Sequence, residues 1–217
     1  MSARPVLWDV DTQVDFMLPG GKLYVPGAEQ TIDAMARLVS GARERGVVHV
    51  ASADDHELTD PEIAEQPDFE NTYPPHCLRG TRGALKIPAT EQADPVPLGL
   101  TPYPPGLLRG LVEGRREILL LKKSYSVFTN PSTDPLLAIL DPDELVVFVV
   151  ATDVCDHAAI VGFLDRGRSV AFVEDAARGL SEERVAACTE EWRRRGVRFT
   201  TVDEVLAAWG ASGQARA

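Results

Sequence analysis

The sequence predicts an α/β fold in which a doubly wound, mainly parallel sheet of six strands lies between two layers of helices. Short apolar strands alternate with helical segments along most of the 217 residues. The run at 145–150 is apolar without a break, which is typical of a strand buried on both faces of a parallel sheet. Reactive side chains directly follow several strands, at the edge where open α/β sheets bind ligands.

The individual elements follow from apolar patterns and the residues that interrupt them. Strands are short runs of β-branched and large apolar residues, predicted at 6–10, 47–51, 117–121, 145–150, 169–173 and 197–201. Helices have apolar residues at helical spacing, and several are followed by glycine. They are predicted at about 32–45, 136–140, 156–166, 181–195 and 202–209.

One long stretch, about 57–116, breaks this alternation because its prolines preclude long regular elements. A stretch of this length inside a compact domain is usually functional or disordered. The segment 73–84 within it is too varied for a flexible linker. We therefore expect an ordered insertion that packs over the sheet edge, within a single domain spanning 1–217.

Composition limits the classes of binding partner and the cellular compartment to be expected. The net charge of -11 argues against nucleic acid and against anionic membrane surfaces. Three cysteines are an odd, sparse set that favours a reducing compartment over a disulfide framework. The first residues show no signal-peptide pattern, and no apolar run approaches membrane-spanning length. We expect a cytoplasmic protein that binds neither nucleic acid nor membrane.

Three predicted strands are followed by a chemically reactive residue: Asp11, Lys122 and Cys155. Cys155 lies where a strand gives way to a helix, and the helix dipole there favours a thiolate. A neighbouring carboxylate can take the thiol proton, and a lysine can keep both groups charged. We expect the three to share one pocket. The alternatives are a turn cap for Asp11, a solvated strand end for Lys122 and a structural role for Cys155.

Three motifs resemble the signatures of the isochorismatase-like cysteine hydrolases. They are Asp11-x-Gln13-x-Asp15-Phe16, Lys122-x-x-Tyr125-Ser126-x-Phe128 and Ala151-Thr152-Asp153-x-Cys155. The resemblance implies a doubly wound sheet, with Cys155 as nucleophile and Asp11 as general base. Lys122 would polarise or orient this pair, and Lys123 is the competing candidate.

The same resemblance assigns backbone roles near the nucleophile. It implies an oxyanion hole formed by the N–H groups of Ala151 and Cys155. It also implies a cis peptide bond between Val150 and Ala151.

A second group of side chains has the composition of a metal site. Asp54-x-His56 follows the second strand, and His76 lies in the proline-rich insertion. One carboxylate and two histidines can hold Zn²⁺, Fe²⁺ or Mn²⁺ with positions left open for water and substrate. His76 as an ordinary surface residue is the alternative.

These residues, together with the segment 73–84, resemble the nicotinamidase branch of the family. The resemblance implies that Asp54, His56 and His76 bind one divalent ion, zinc or alternatively iron or manganese. Phe16 and Tyr73 would then lie against a pyridine ring.

The chain also departs from that branch. Some members supply a fourth ligand between the two histidines, which would here be Glu62 or Glu65. Asp9, near the first strand, and His157, after the nucleophile, match no expected role.

These motifs predict a metal-dependent cysteine amidohydrolase that deaminates nicotinamide to nicotinic acid through a thioester. The alternatives are a related amidase for another small amide, carbamoyl or ureido compound, or a catalytically idle binding scaffold. A vinyl-ether hydrolase is disfavoured because that branch often lacks the cysteine and the metal motif. A thiol redox protein is disfavoured because no second cysteine stands nearby in the motif. Family members form dimers or tetramers, so the resemblance also implies a homo-oligomer.

Overall fold

The computed structural model describes residues 4–214. Its centre is one sheet in which every pair of neighbouring strands is parallel. The strands are β1 (Pro5–Val10), β2 (Val48–Asp54), β3 (Val96–Leu98), β4 (Glu117–Lys122), β5 (Glu144–Val150), β6 (Val170–Arg178) and β7 (Arg198–Thr200). They lie side by side in the order β3-β4-β2-β1-β5-β6-β7. The predicted α/β class and doubly wound architecture are confirmed.

The helices flank this sheet. They are α1 (Val14–Met17), α2 (Ile32–Glu44), α3 (Pro105–Val112), α4 (Thr133–Leu140), α5 (His157–Asp165), α6 (Glu182–Arg194) and α7 (Val202–Gln214). Among residues 4–214, no helix has both the length and the apolarity needed to cross a membrane.

The predicted strand count of six is wrong, because the sheet has seven strands. The additional strand is β3, which comes from the proline-rich stretch and lies at the edge beside β4. It has three residues, and its central Pro97 made a strand improbable by sequence. Proline is tolerated on an edge strand, where the missing N–H need not pair. The same stretch also contains α3, which begins at Pro105, because a first-turn proline removes no helical hydrogen bond.

Each face of the sheet has its own apolar core, because alternate residues of a strand point to opposite faces. Trp8 of β1 joins the core formed with α3, α4, α5 and α6. Its neighbour Leu7 joins the core formed with α2 and α7. The central strands are therefore buried on both sides, as the unbroken apolar run of β5 predicted.

The topology brings four strand ends to one edge. β1 pairs with β2 on one side and β5 on the other, and β4 follows beyond β2. The chain winds outward from β1 to β4 and then crosses back to β5. Ligands bind at such a reversal, beyond the carboxyl ends of the strands. The predicted domain of 1–217 reaches past the described residues at both ends, and that boundary remains a prediction.

Candidate active site

The Lys122 ammonium group joins two buried carboxylates at this edge. Asp11 follows β1 in a left-handed conformation with φ 55°, and Lys122 ends β4. Lys122 Nζ lies 2.8 Å from Asp11 Oδ2 and 2.5 Å from Asp54 Oδ1, and it donates to Ser124 O at 3.0 Å. Ser52 Oγ donates to Asp11 Oδ1 at 2.7 Å. Lys122 is fully buried, so its charge is neutralised by these carboxylates rather than by water.

The two carboxylates have pKa values shifted in opposite directions. Burial raises the pKa of Asp11, with a further rise from the charge of Asp54, and Lys122 offsets only part of this. Burial also opposes charge on Asp54, but Lys122 and the neighbouring histidines more than offset it and hold the Asp54 pKa well below its ordinary value. Asp54 therefore stays ionised, whereas Asp11 is the carboxylate suited to accept a proton.

Cys155 lies in one π-helical turn, Thr152–Asp156, between β5 and α5. Burial raises the pKa of its thiol well above the ordinary value. Lys122 opposes this rise, while the charge of Asp11 and its hydrogen bond to the thiol add to it. The helix dipole was expected to favour a thiolate, whereas burial favours the neutral thiol. The resting thiol is therefore protonated, and Asp11 is the neighbouring group able to take that proton.

Ala151 directly precedes the π-helical turn and lines the same cavity as Cys155. The peptide bond between Val150 and Ala151 is cis, as the resemblance implied.

Asp54, His56 and His76 form a second buried cluster, with one ligand atom of each within 4.8 Å of the others. His56 Nε2 and His76 Nε2 lie 3.8 and 3.7 Å from Asp54 Oδ2. His76 Nδ1 is 2.8 Å from Pro74 O. A carbonyl only accepts, so the His76 proton is on Nδ1 and Nε2 keeps a lone pair for a metal.

This cluster fits a divalent cation. His56 is fully buried, yet neither of its ring nitrogens has a hydrogen-bond partner. Such groups are uncommon in folded proteins, and metal ligation would satisfy one nitrogen. Asp60 Oδ2 lies 3.5 Å from His56 Nδ1, on the side away from Asp54. A carboxylate there can orient a ligating imidazole.

The two candidates for a fourth ligand lie in different environments. Glu62 is buried and lines the cavity with Asp54 and His76, and its Oε2 accepts the Tyr125 N–H at 3.0 Å. Burial, followed by the charge of Asp54, raises the pKa of Glu62. Glu65 is exposed on the insertion. Of the two, Glu62 is the one near the cluster.

Gln13 connects the segment after β1 to the end of β2. Its side-chain carbonyl accepts the Asp54 N–H at 2.7 Å, and its amide donates to Asp54 O and Ala84 O, each at 2.8 Å. One amide therefore fixes the backbone of a cluster residue from both sides and also holds the insertion.

Asp15 fixes the insertion next to His76. Asp15 Oδ2 accepts the Cys77 N–H at 2.7 Å. The insertion also approaches this carboxylate at Gly83, where an added Cβ would lie 2.1 Å from Asp15 Oδ2. The close approach therefore requires glycine at this position.

Asp9, to which the sequence assigned no role, forms a buried ion pair beneath the site. Lys86 Nζ donates to Asp9 Oδ1 at 3.0 Å, and Thr12 Oγ1 donates to Asp9 Oδ2 at 3.0 Å. His49 Nε2 lies 3.7 Å from Asp9 Oδ2. Burial alone would raise the pKa of Asp9, but Lys86 and His49 more than offset it and the pKa is lowered. The pair links β1 to the insertion directly below the Asp11 segment.

A cavity opens onto both clusters and has a largely apolar wall. The wall is formed by Phe16, Leu23, Val25, Tyr73, Val154 and Leu180. The two predicted substrate contacts, Phe16 and Tyr73, lie with ring centroids 5.4 and 6.2 Å from that of His76. Cys155, Ala151, Asp54 and Glu62 supply the polar part of the lining, and so does Tyr125.

Two other candidates lie outside the cavity lining. Lys123 Nζ contacts both carboxylate oxygens of Asp60 at 2.8 Å, so this lysine is directed away from Asp11. The His157 ring stacks on Trp192 at 6.1 Å between centroids. His157 therefore packs against α6.

Sequence reasoning missed three residues that hold the site together: Ser52, Asp60 and Lys86. Ser52 and Asp60 stand within two and four residues of quoted motif positions, so their polarity was a usable signal. Lys86 contacts Asp9 across 77 positions of sequence, and nothing local marks that pairing.

Comparisons with known proteins agree with this geometry. The isochorismatase domain model matches residues 6–204. The chain belongs to the isochorismatase domain family. It is 28% identical over 190 residues to the nicotinamidase of Escherichia coli, which covers 79% of this chain and 82% of that protein. It is 28% identical over 193 residues to the nicotinamidase/pyrazinamidase of Mycobacterium tuberculosis, covering 87% and 94%.

Solved structures share the fold of this family member. The pyrazinamidase of Pyrococcus horikoshii, in complex with zinc, matches with TM-score 0.70 and 24% identity over 91% of this chain and 99% of that one. The N-carbamoylsarcosine amidase of Thermoplasma acidophilum matches with TM-score 0.70 and 21% identity over 92% and 97%. The family and the sequence relatives support an amidohydrolase, and the Asp/His/His cluster is compatible with a divalent metal.

Proposed function

We propose that this protein is a metal-dependent cysteine amidohydrolase that converts nicotinamide to nicotinic acid and ammonia. The observation that carries the proposal is the convergence of Asp11, Lys122 and Cys155 beside the Asp54–His56–His76 cluster, with Cys155, Asp54 and His76 lining one cavity that has aromatic walls. The first group is equipped for acyl transfer to sulfur. The second is equipped to position a ring that bears the amide.

In the proposed reaction, Asp11 takes the proton of the Cys155 thiol, and the sulfur attacks the carboxamide carbon. The backbone N–H groups of Ala151 and Cys155 stabilise the oxyanion. Asp11 then protonates the amide nitrogen, the C–N bond breaks, and ammonia leaves a thioester on Cys155. A water molecule gives a proton to Asp11 and attacks the thioester, which releases the acid and restores the thiol.

Lys122 has an electrostatic role in this scheme. Its ammonium is fully buried against Asp11 and Asp54. Burial opposes its charge, but the two carboxylates more than offset this and raise the Lys122 pKa well above its ordinary value. The permanent positive charge stabilises the thiolate while Asp11 holds the proton.

The metal site completes the proposal. A divalent cation, zinc or alternatively iron or manganese, would be held by Asp54, His56 and His76 and would supply a Lewis acid for a pyridine nitrogen. Glu62 is the further carboxylate close enough to assist. The His56 nitrogens without partners support occupation of this site in the working protein.

The cavity lining favours a neutral aromatic amide over the alternatives. The residues that line it, all within the described part of the chain, include no lysine or arginine. A carbamoyl amino acid or another substrate with a carboxylate would therefore meet Asp54 and Glu62 with no lysine or arginine in the lining, since Lys122 is already paired with Asp11 and Asp54. Phe16 and Tyr73 instead offer ring surfaces to a flat substrate.

Ammonia release tests the function. Purified protein with stoichiometric zinc, iron or manganese is assayed on nicotinamide, pyrazinamide, N-carbamoyl amino acids and simple ureido compounds. We expect turnover of the two aromatic amides with the metal and its loss on chelation. Turnover confined to the carbamoyl or ureido compounds would favour the related amidase, and no turnover with an unreactive Cys155 would favour an idle scaffold.

We also propose a cytoplasmic homo-oligomer that binds neither nucleic acid nor membrane. The support is the family resemblance and the net charge of -11. Light scattering of the purified protein tests the oligomer, and cell fractionation tests the location.

A further inference from the structure

Leu180 lies at the mouth of the cavity on the segment between β6 and α6. Most of the residues that line the cavity are buried or half-buried, whereas Tyr125 and Leu180 are 40% and 39% exposed. These two side chains therefore mark the opening to solvent. The cavity volume is about 30 Å³, so there is little free space between Cys155 and this mouth.

The segment that carries Leu180 is fixed by Asp153, two positions before Cys155. Asp153 Oδ1 accepts the Leu180 N–H at 2.8 Å, and Oδ2 accepts the Ser181 N–H at 3.2 Å. Arg184 Nε lies 2.9 Å from the same Oδ2. The Asp153 side chain has no exposed surface, whereas Arg184 is exposed, so only the carboxylate end of these contacts is shielded from water. The turn that holds the nucleophile thus also holds the mouth.

Gly179 shows how closely this segment packs. A Cβ at this position would lie 2.3 Å from Val185 Cγ2 and 2.9 Å from Asp153 Oδ1. The backbone directly before Leu180 therefore has no room to retreat into the protein. Leu180 is a wall of fixed position rather than a mobile lid.

We infer that Leu180 is a specificity-determining residue, held in place by Asp153 as a positioning residue, and that it limits the size of the groups carried by the amide's ring. The inference deepens the proposed function and rests on it in taking this cavity as the substrate's. A fixed apolar wall discriminates by steric exclusion. One methyl or methylene group in such a pocket typically changes kcat/KM by about 10–200-fold.

The first test measures access to Cys155 without using the enzymatic reaction. Alkylation rates at Cys155 are compared for iodoacetamide and its bulkier N-phenyl analogue, in the unaltered full chain, in Leu180→Ala and in Leu107→Ala. Leu107 is an exposed leucine of α3 that does not line the cavity, so it is the matched control. The modified cysteine is identified by peptide mass mapping.

We expect Leu180→Ala to raise the rate of the bulky reagent relative to iodoacetamide by about tenfold, with no change for Leu107→Ala. Asp153→Ala should also raise the rate of the bulky reagent relative to iodoacetamide. Asp153→Asn keeps an oxygen for the Leu180 N–H and should retain most of the selectivity against the bulky reagent. A general structural loss would instead raise both alkylation rates together.

The second test uses turnover of nicotinamide and a set of ring-methylated nicotinamides. Leu180→Ala should raise kcat/KM for at least one methylated amide relative to nicotinamide by about tenfold. An unaltered alkylation ratio in Leu180→Ala would overturn the inference, whatever the substrate proves to be. Absence of nicotinamide turnover with a tenfold alkylation shift would overturn the proposed function and leave the role of Leu180 supported.

Discussion

Asp11 and Asp54, which lie at neighbouring strand ends, share one fully buried ammonium group, that of Lys122. Their pKa values are nevertheless shifted in opposite directions, since burial raises that of Asp11, whereas Lys122 and two histidines more than offset burial at Asp54. The same cation therefore serves a proton acceptor on one side and a cluster suited to a metal on the other. Each of the two carboxylates can be tested separately.

Cys155→Ala should reduce ammonia release from nicotinamide to background, because the described residues that line the cavity include no second cysteine to form the thioester. The metal content should stay unchanged, since the sulfur is not part of the Asp54–His56–His76 cluster. Elemental analysis and the ammonia assay measure both quantities on one sample. Cys188→Ala, on α6, is the matched control. Substantial turnover by Cys155→Ala would contradict the nucleophile assignment.

As the pH is lowered, activity should be lost at a pH above the ordinary pKa of an aspartate. Burial raises the pKa of Asp11, and this carboxylate must be ionised to accept the thiol proton. Protonation as the pH falls through that raised pKa therefore removes the base. Asp11→Asn should lower kcat by about 10²–10⁴-fold and abolish this acid limb. The pH profile of kcat/KM checks it, and an acid limb unchanged in Asp11→Asn would exclude Asp11 as the titrating base.

His76→Ala should weaken zinc binding by more than the ~10–100-fold typical of a residue outside the ligand sphere. His76 Nε2 faces Asp54 Oδ2, and its Nδ1 is already committed to Pro74 O. The measurement is competition with a chelator followed by isothermal titration. His157→Ala is the control, because that ring stacks on Trp192 instead. Equal zinc affinity in the two variants would contradict the ligand set.

Lys86→Met should destabilise the protein by about 3–5 kcal/mol at neutral pH, because it leaves the buried Asp9 carboxylate without its cation. The pKa of Asp9 is lowered, so its stabilising contribution is present above the ordinary value near 3.8 and is lost as pH falls through the lower folded-state pKa. In Lys86→Met, burial would instead raise the pKa of Asp9. The loss in the free energy of unfolding should therefore shrink as the pH falls towards that raised pKa.

Urea unfolding at neutral and mildly acidic pH measures this difference. Lys22→Met is the control, since Lys22 is exposed. A deficit that is equal at both pH values would mean that lost packing of the lysine stem, rather than the unpaired charge, is responsible.

Much of the fold was accessible from sequence because buried parallel strands have an unmistakable composition. The unbroken apolar run of β5 located the nucleophile at a strand-to-helix junction, and the other reactive residues followed by the same rule. β3 was missed because three residues around Pro97 have no period to detect. An edge position, which only the assembled sheet defines, is what permits that proline.

The candidate site shows a different limit. Residue types could be read from the sequence, but the depth of burial could not. The helix dipole was expected to favour a thiolate, whereas burial raises the pKa of the Cys155 thiol. The contacts that support the site could not be predicted from the sequence either. Asp153 looked like part of a motif, yet its partners Leu180 and Ser181 lie 27 and 28 positions away.

The contact between Gly83 and Asp15 also bears on how this scaffold can be redesigned. The proline-rich insertion packs against the Asp15 carboxylate at Gly83, where the absence of a Cβ leaves room for the contact. Libraries that randomise the insertion should hold position 83 constant, because even alanine would overlap the Asp15 carboxylate, which accepts the N–H of Cys77 next to His76. New substrate ranges are best sought at the cavity mouth, which Tyr125 and Leu180 form.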